Sequence, residues 1–396
     1  MHSKLKEQTK TIVIRGGYGV GNFGDDALMF AAYEICKRIF DSESLVFVCR
    51  NSDYIQKIIP GAKVVQLDSR DVKDAHIMVF GGGTQFCSFH PTAIRGIRAL
   101  YRRIAHNVRR PIALGNKLFR KIMEASSLTY SSRVAAIGIG LGPFVENCKH
   151  MRRTKELFTR MDYVAVRDRY SYDLCKQWRL HNVSLRADLC YLPDLWNVDA
   201  PEYNRTNTKG EIQKIGVILR DWPHTAEGDS YAIPVFQVVH ELRTAGKKVE
   251  FISFASRSDI KWAKRLKDKD EQFKAWNPDK CTISEFMELL SGYDAFITAR
   301  YHGAIFASIL RKPVVCIEVE QKLRLVSGLF GVGTRLWTYP FSASECLRHI
   351  SDLEGDYSIA VQCLARSVKE QGFLVEKMID EYRQFVTANP IDRCRG

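Results

Sequence analysis

The chain has 396 residues, a formal net charge of +14, and 45% hydrophobic against 26% charged residues. This length exceeds one ordinary core and suits two domains, the composition is that of a folded, soluble protein, and no window approaches the ~20 consecutive apolar residues of a membrane-crossing helix. The positive balance favours an anionic partner such as a phosphorylated substrate or an anionic lipid surface; with no nucleic-acid-binding motif in view, no nucleic acid is expected to bind.

The N-terminus, MHSKLKEQTK, is polar and runs straight into a strand, so no signal peptide is visible and a cytoplasmic location is expected. Strands are predicted at TIVIRG (11–16), SLVFVC (44–49), KVVQL (63–67), HIMVFG (76–81), RVAAIGIG (133–140) and YVAVR (163–167), with helices between them, one over 27–40. Continuous apolar runs of this length suit a parallel sheet covered on both faces. Between 95 and 121 lie nine Lys/Arg residues and no acid, interleaved with apolar residues. This segment reads equally as a solvated helix face and as a basic amphipathic helix making peripheral contact with the inner face of a membrane. A polar stretch, WNVDAPEYNRTNTKGE (196–211), then interrupts the alternation and reads as a linker. Strands resume at KIGVILR (214–220), KVEFISF (248–254), DAFITA (294–299) and PVVCIEV (313–319), and an amphipathic helix is predicted over 357–389.

Repeated βα units on both sides of one linker predict an α/β fold of two Rossmann-like, doubly wound domains facing a cleft. The boundaries read as 1–198, a linker over 199–211, and 212–396 with the terminal helix. Eleven cysteines occur without paired or finger-like spacing, which suits reduced, mostly buried thiols and argues against a zinc site.

In sheets of this kind ligands sit beyond the carboxyl ends of the strands. After the first strand comes GGYGVGNFGDDALM (16–29), with Gly19, Gly21 and Gly24 in dinucleotide-fingerprint spacing. Asp25 and Asp26 follow at the helix start, where carboxylates would repel a pyrophosphate. The loop therefore reads as a close-approach backbone loop, with Asn22 and Asp25 or Asp26 suited to hydroxyl groups, or with one acid capping the helix. GGGTQF (81–86) and GIGLGP (138–143) are further glycine-rich strand ends. In VRDRYS (166–171), Arg167 either reaches the crevice or, by preference, pairs at the helix terminus, with Asp168 as a cap. Asp188 and Asp194 lie near the junction, and nothing local singles out either as a base.

In the second half, VILRDW places Arg220 at a strand end, and FITARYHGAIFAS (296–308) places Arg300 and His302 at another, just before a helix. A helix N-terminus favours an anion, and a guanidinium grips phosphate or carboxylate with two parallel hydrogen bonds. His302 can give or take a proton near neutral pH. The opposing reading pairs Arg300 with an acid such as Asp294 and makes His302 a cap; Arg220 on a companion strand favours the anion site.

These motifs together resemble the polysaccharide pyruvyltransferases: GNFGDDAL, the GGG strand end, the VRD..S segment and RYHGAIFASILRKPVV, over about residues 12–320. The resemblance implies a GT-B-like fold with its active site between the domains. It implies transfer of pyruvate from phosphoenolpyruvate, a co-substrate, to two hydroxyls of a sugar as a cyclic ketal, in exopolysaccharide biosynthesis, with no metal or redox cofactor required. It maps the donor site to Arg220, Arg300 and His302, with Gly303 beside them, and turns Gly21, Asn22, Asp25, Asp26, Gly82, Gly83 and Thr84 toward the acceptor sugar. Tyr301 departs from the family, where many relatives carry a small or aliphatic residue. A lipid-linked acceptor would give the 95–121 segment a reason to dwell at the membrane. Two other readings remain open: a GT-B glycosyltransferase using a nucleotide sugar, and a catalytically silent binding protein that kept the fold.

Overall fold

Two parallel sheets organise the computed structural model, which describes residues 10–89, 133–146, 148–198 and 210–388. The first runs β3 (Lys63–Val65), β2 (Leu45–Val48), β1 (Ile12–Arg15), β4 (Ile77–Phe86), β5 (Arg133–Leu141), β6 (Tyr163–Val166), β7 (Val183–Leu185). The second runs β10 (Phe273–Ala275), β9 (Lys248–Ser253), β8 (Lys214–Ile218), β11 (Ala295–Thr298), β12 (Val314–Ile317), β13 (Thr334–Trp337). Both are doubly wound: the chain first builds outward one way, then crosses its first strand and builds the other way. Central strands are buried on both faces, as at Ile12, Val13 and Ile14 and throughout β11 and β12, which is why they read as unbroken apolar runs.

The sequence reading misses β7, β10 and β13. All three are edge strands of three or four residues (VSL, FKA, TRLW) that carry polar side chains and partly exposed positions. An edge strand solvated on one side has no continuous apolar signature.

Helix α1 spans Phe23–Lys37 and starts four residues before the expected 27. Asn22 is its N-cap: the side-chain oxygen accepts the Gly24 N–H at 3.2 Å, and Asp25 and Asp26 occupy the positive end of the helix dipole. The remaining helices are α2 (Ser52–Ile58), α3 (Arg70–Lys73), α4 (Lys149–Phe158), α5 (Arg169–Gln177), α6 (Ala232–Thr244), α7 (Ile260–Asp268), α8 (Ile283–Ser291), α9 (Tyr301–Ile309), α10 (Gln321–Ser327), α11 (Ala343–Gly355) and α12 (Tyr357–Thr387).

Helix α12 follows the second sheet in sequence but returns to the first half. There Glu381 pairs with Arg186 and accepts from the Tyr163 hydroxyl at 3.3 Å, and the Arg133 guanidinium lies 3.7 Å from the Phe385 ring centroid. The basic segment 95–121 and most of the 199–211 stretch lie outside the described residues. Among the described residues no helix is long and apolar enough to cross a membrane, and the cysteines are free.

Candidate active site

The order of each sheet reverses at one place, between β1 and β4 and between β8 and β11. At such a reversal the connections leave in opposite directions, and in sheets of this kind ligands bind beyond the strand ends at that point. In the second sheet Ile218 pairs with Thr298, so Arg220 and Arg300, each two residues further on, emerge side by side at that point. In the first sheet β4 carries the glycines 81–83 just past its last pairing with β1, Arg15 with Phe80.

The two arginines differ in what they face. Arg300 is buried (7% exposed); it makes an ion pair with Asp259, and its Nε donates to the Leu219 carbonyl at 3.3 Å. Its acid is therefore not Asp294, which accepts the backbone N–H groups of Gln213 and Lys214. Arg220 keeps 24% of its side chain exposed; it pairs with Glu320 and lies 4.4 Å from the Trp222 ring centroid. Glu320 also meets the Lys322 ammonium at 3.3 Å. Burial works to raise the Glu320 pKa, but the Lys322 and Arg220 charges outweigh it and hold the carboxyl below its usual value. Lys322 and Glu320, at the start of α10, were not singled out in the sequence because nothing local distinguishes them from surface residues.

In the first turn of α9 is His302, whose Nε2 lies 3.6 Å from the Asp188 carboxylate and has no hydrogen-bond partner although buried; the ring keeps 12% exposure. Asp188 is 1% exposed and accepts from Arg167 Nη1 at 2.8 Å and from the Cys190 N–H at 3.0 Å. Burial would raise its pKa, but the adjacent His302 and Arg167 hold it far below the ordinary carboxylate range. Of the two acids near the junction, the structure thus brings Asp188 to the histidine. Arg167 makes the helix-terminal pair, its Nε 3.6 Å from Asp168, and also reaches β4, where its Nη2 donates to the Thr84 hydroxyl at 2.7 Å, while Asp168 caps α5 by accepting the Ser171 N–H. Tyr301 is buried, with the Arg167 guanidinium 4.3 Å and the Lys322 ammonium 5.9 Å from its ring centroid. Its aromatic face thus serves two cations, a role a small or aliphatic side chain cannot fill.

The residues assigned to the acceptor do not form one open face. Asp26 is 0% exposed; its Oδ2 accepts from the Tyr54 hydroxyl and, at 2.8 Å, from Trp276 Nε1 of the other half. Asp25 accepts from the Asn22 amide at 2.7 Å. Gly82 and Gly83 have φ of 65° and 77°, and a β-carbon at Gly82 would lie 2.8 Å from Leu28. Gly21 lies against Arg257. Gly303 meets strand β11 so closely that a β-carbon would sit 2.2 Å from Thr298 Oγ1, so close packing accounts for this glycine.

Asp188, Cys190 and His302 place candidate metal-ligand atoms within 4.8 Å of one another. The Arg167 guanidinium already holds that carboxylate, so a metal cation entering there would meet a fixed positive charge.

The sequence matches the family described as polysaccharide pyruvyl transferase over residues 22–321. No curated protein matches it significantly. Among solved structures, the UDP-GlcNAc 2-epimerase from Neisseria meningitidis bound to UDP-GlcNAc aligns with a TM-score of 0.55 at 8% identity, over 94% of this chain and 99% of that one. The S. aureus MnaA–UDP structure aligns with a TM-score of 0.51 at 9% identity, over 96% of this chain and 97% of that one. These likenesses establish the fold, two doubly wound domains of GT-B type.

Proposed function

The chain belongs to the polysaccharide pyruvyl transferase family, and on that premise we propose that it moves a pyruvyl group from phosphoenolpyruvate onto two hydroxyls of one sugar, closing a cyclic ketal and releasing phosphate. The observation that carries this reading is the histidine–carboxylate pair, His302 and Asp188, together with the partly exposed cations Arg220 and Lys322, the latter 5.9 Å from the ring centroid of Tyr301, the residue before His302. Phosphoenolpyruvate bears a phosphate and a carboxylate, so its site needs more than one cation. Arg300 is committed to Asp259; Arg220 and Lys322 share a single carboxylate and retain the surplus charge that an anion would complete.

The chemistry follows from these groups. A proton is added to the donor's methylene carbon, which leaves an oxocarbenium-like centre at the neighbouring carbon. A sugar hydroxyl attacks there, the C–O bond to phosphate breaks with its electron pair going to phosphate, and the second hydroxyl closes the ring. Of the two hydroxyl protons, one ends on the new methyl group and the other on phosphate. His302 carries the proton, the Asp188 carboxylate 3.6 Å from its Nε2 stabilises the charged form of the ring, and Arg220 and Lys322 hold the donor. Such a positioned acid–base group contributes ~10²–10⁴-fold in rate.

The test is incubation with phosphoenolpyruvate and a panel of lipid-linked and simple glycosides, following phosphate release and product mass, with UDP-sugars in a parallel arm. Phosphate release matched by gain of a pyruvyl unit is expected, and is expected to fall by that factor in His302→Ala. Phosphate release without that gain, or glycosyl transfer from a UDP-sugar, would overturn the proposal.

A further inference from the structure

We propose that the first turn of α1, through Phe23, Gly24 and Asp26, is an interdomain plug that positions His302, so that docking of the two domains and orientation of the histidine are one event. The proposal rests on the proton-transfer reading of His302 given above.

The turn belongs by connectivity to the first sheet, yet its Phe23 side chain packs on the other half. Phe23 is 0% exposed, and its ring lies 5.1 Å from Phe254, 5.1 Å from Trp276, 4.6 Å from Phe286 and 4.8 Å from Phe306. All four partners come from the second half. The N–H groups at a helix start lack partners within their own helix; that of Phe23 donates to the Phe254 carbonyl at 2.8 Å, across the boundary. Phe306 lies on α9, about one turn beyond His302. The anchor of the plug and the histidine are therefore on the same helix.

Gly24 makes the direct contact. A β-carbon there would sit 2.3 Å from Nδ1, 2.6 Å from Cγ and 2.7 Å from Cβ of His302. These atoms include the root of the side chain, so a small rotation of the ring does not clear the clash. The glycine's φ is not positive, so the backbone has no need of it, and helix propensity would favour alanine. What needs glycine at this position is the space filled by the histidine. Asp26 then holds the turn from both sides through the Tyr54 hydroxyl and Trp276 Nε1. Separation of the domains would withdraw the Gly24 backbone from the imidazole and leave the ring free to turn away from Asp188.

The experiment is a double-mutant cycle in the full chain with a two-part readout. Gly24→Ala is expected to lower kcat for phosphate release by ~10²-fold, the scale of a reacting group displaced by about 1 Å. The KM for phosphoenolpyruvate should stay within about twofold, and the same substitution in the His302→Ala background should add no further loss. A loss carried by KM alone, or one that persists in full without His302, overturns the proposal. Separately, ¹³C-histidine NMR on the substrate-free protein, with the His302 signal assigned by its absence in His302→Ala, should show a changed chemical shift in Gly24→Ala. An unmoved signal also overturns it. Should Gly24→Ala not fold, Phe23→Leu takes its place with the same expectations. Near-wild-type turnover in His302→Ala would sink the catalytic reading of His302, while the NMR arm still decides whether the plug positions the ring.

Discussion

Asp26 offers a sharp physical test because its sequence reading and its structural position disagree. Read as a hydroxyl-binding carboxylate, it is instead 0% exposed at the junction, with Oδ1 buried and without a partner. Burial, with a smaller push from Asp25, raises its pKa from 3.8 to about 7, against the hydrogen bonds from Tyr54 and Trp276 and the charge of Arg257. The folded state therefore holds this proton where the unfolded chain has released it. For such a group the stabilising contribution is fully present below the unfolded value, falls as pH rises from about 4 to about 7, and is gone above that. At ~1.4 kcal/mol per pH unit, the difference across this window is on the order of 4 kcal/mol. Asp26→Asn keeps the shape and an oxygen that accepts from both donors, and it cannot ionise. Urea unfolding of wild type and Asp26→Asn between pH 4.5 and 8.5 measures the difference, with all other titrations common to both. Wild type should lose stability relative to Asp26→Asn as pH rises, by up to that amount, with no further change above neutrality. A difference that stays constant across the range would refute the reasoning.

Two further predictions separate cations that look alike in sequence. Arg300→Met strands the buried Asp259 carboxylate and should cost ~3–5 kcal/mol of stability in urea unfolding; Arg220→Met leaves Lys322 with Glu320 and should cost much less. Equal losses would show that Arg300 is not the structural member of the pair. Lys322→Ala should raise the KM for phosphoenolpyruvate by at least ~10-fold, the scale of one lost charge-assisted hydrogen bond, with little change in melting temperature. An unchanged KM would remove Lys322 from the donor site.

Much of this molecule was legible in its sequence. Alternating apolar runs and helical periods announced both parallel sheets, because strand and helix patterns arise from local geometry and two-sided burial. The strand ends carrying Arg220, Arg300 and His302 were legible for the same reason, since a short apolar run marks where a parallel strand stops. The opening glycine loop was visible as a motif, but its partners were not: no local pattern tells Gly24 that it will lie on His302, or Phe23 that four rings from the other half will enclose it. The edge strands β7, β10 and β13 were lost because solvent on one side removes the apolar signal.

What the sequence determined, then, is the fold class, the family and the cationic strand ends, all of which depend on residues near one another in the chain. What only the tertiary structure decided is which charge answers which. Asp188 rather than Asp194 meets His302, Arg300 is committed to Asp259, Lys322 joins Arg220 at Glu320, Arg167 shares Tyr301 with Lys322, and Asp26 is sealed inside the junction. Such pairings bring together elements far apart in the chain, some within the second half, as for Arg300 with Asp259, and some across the halves, as for Asp188 with His302. Coulomb energy and desolvation depend on distance and burial in space, and those quantities exist only once the chain has folded.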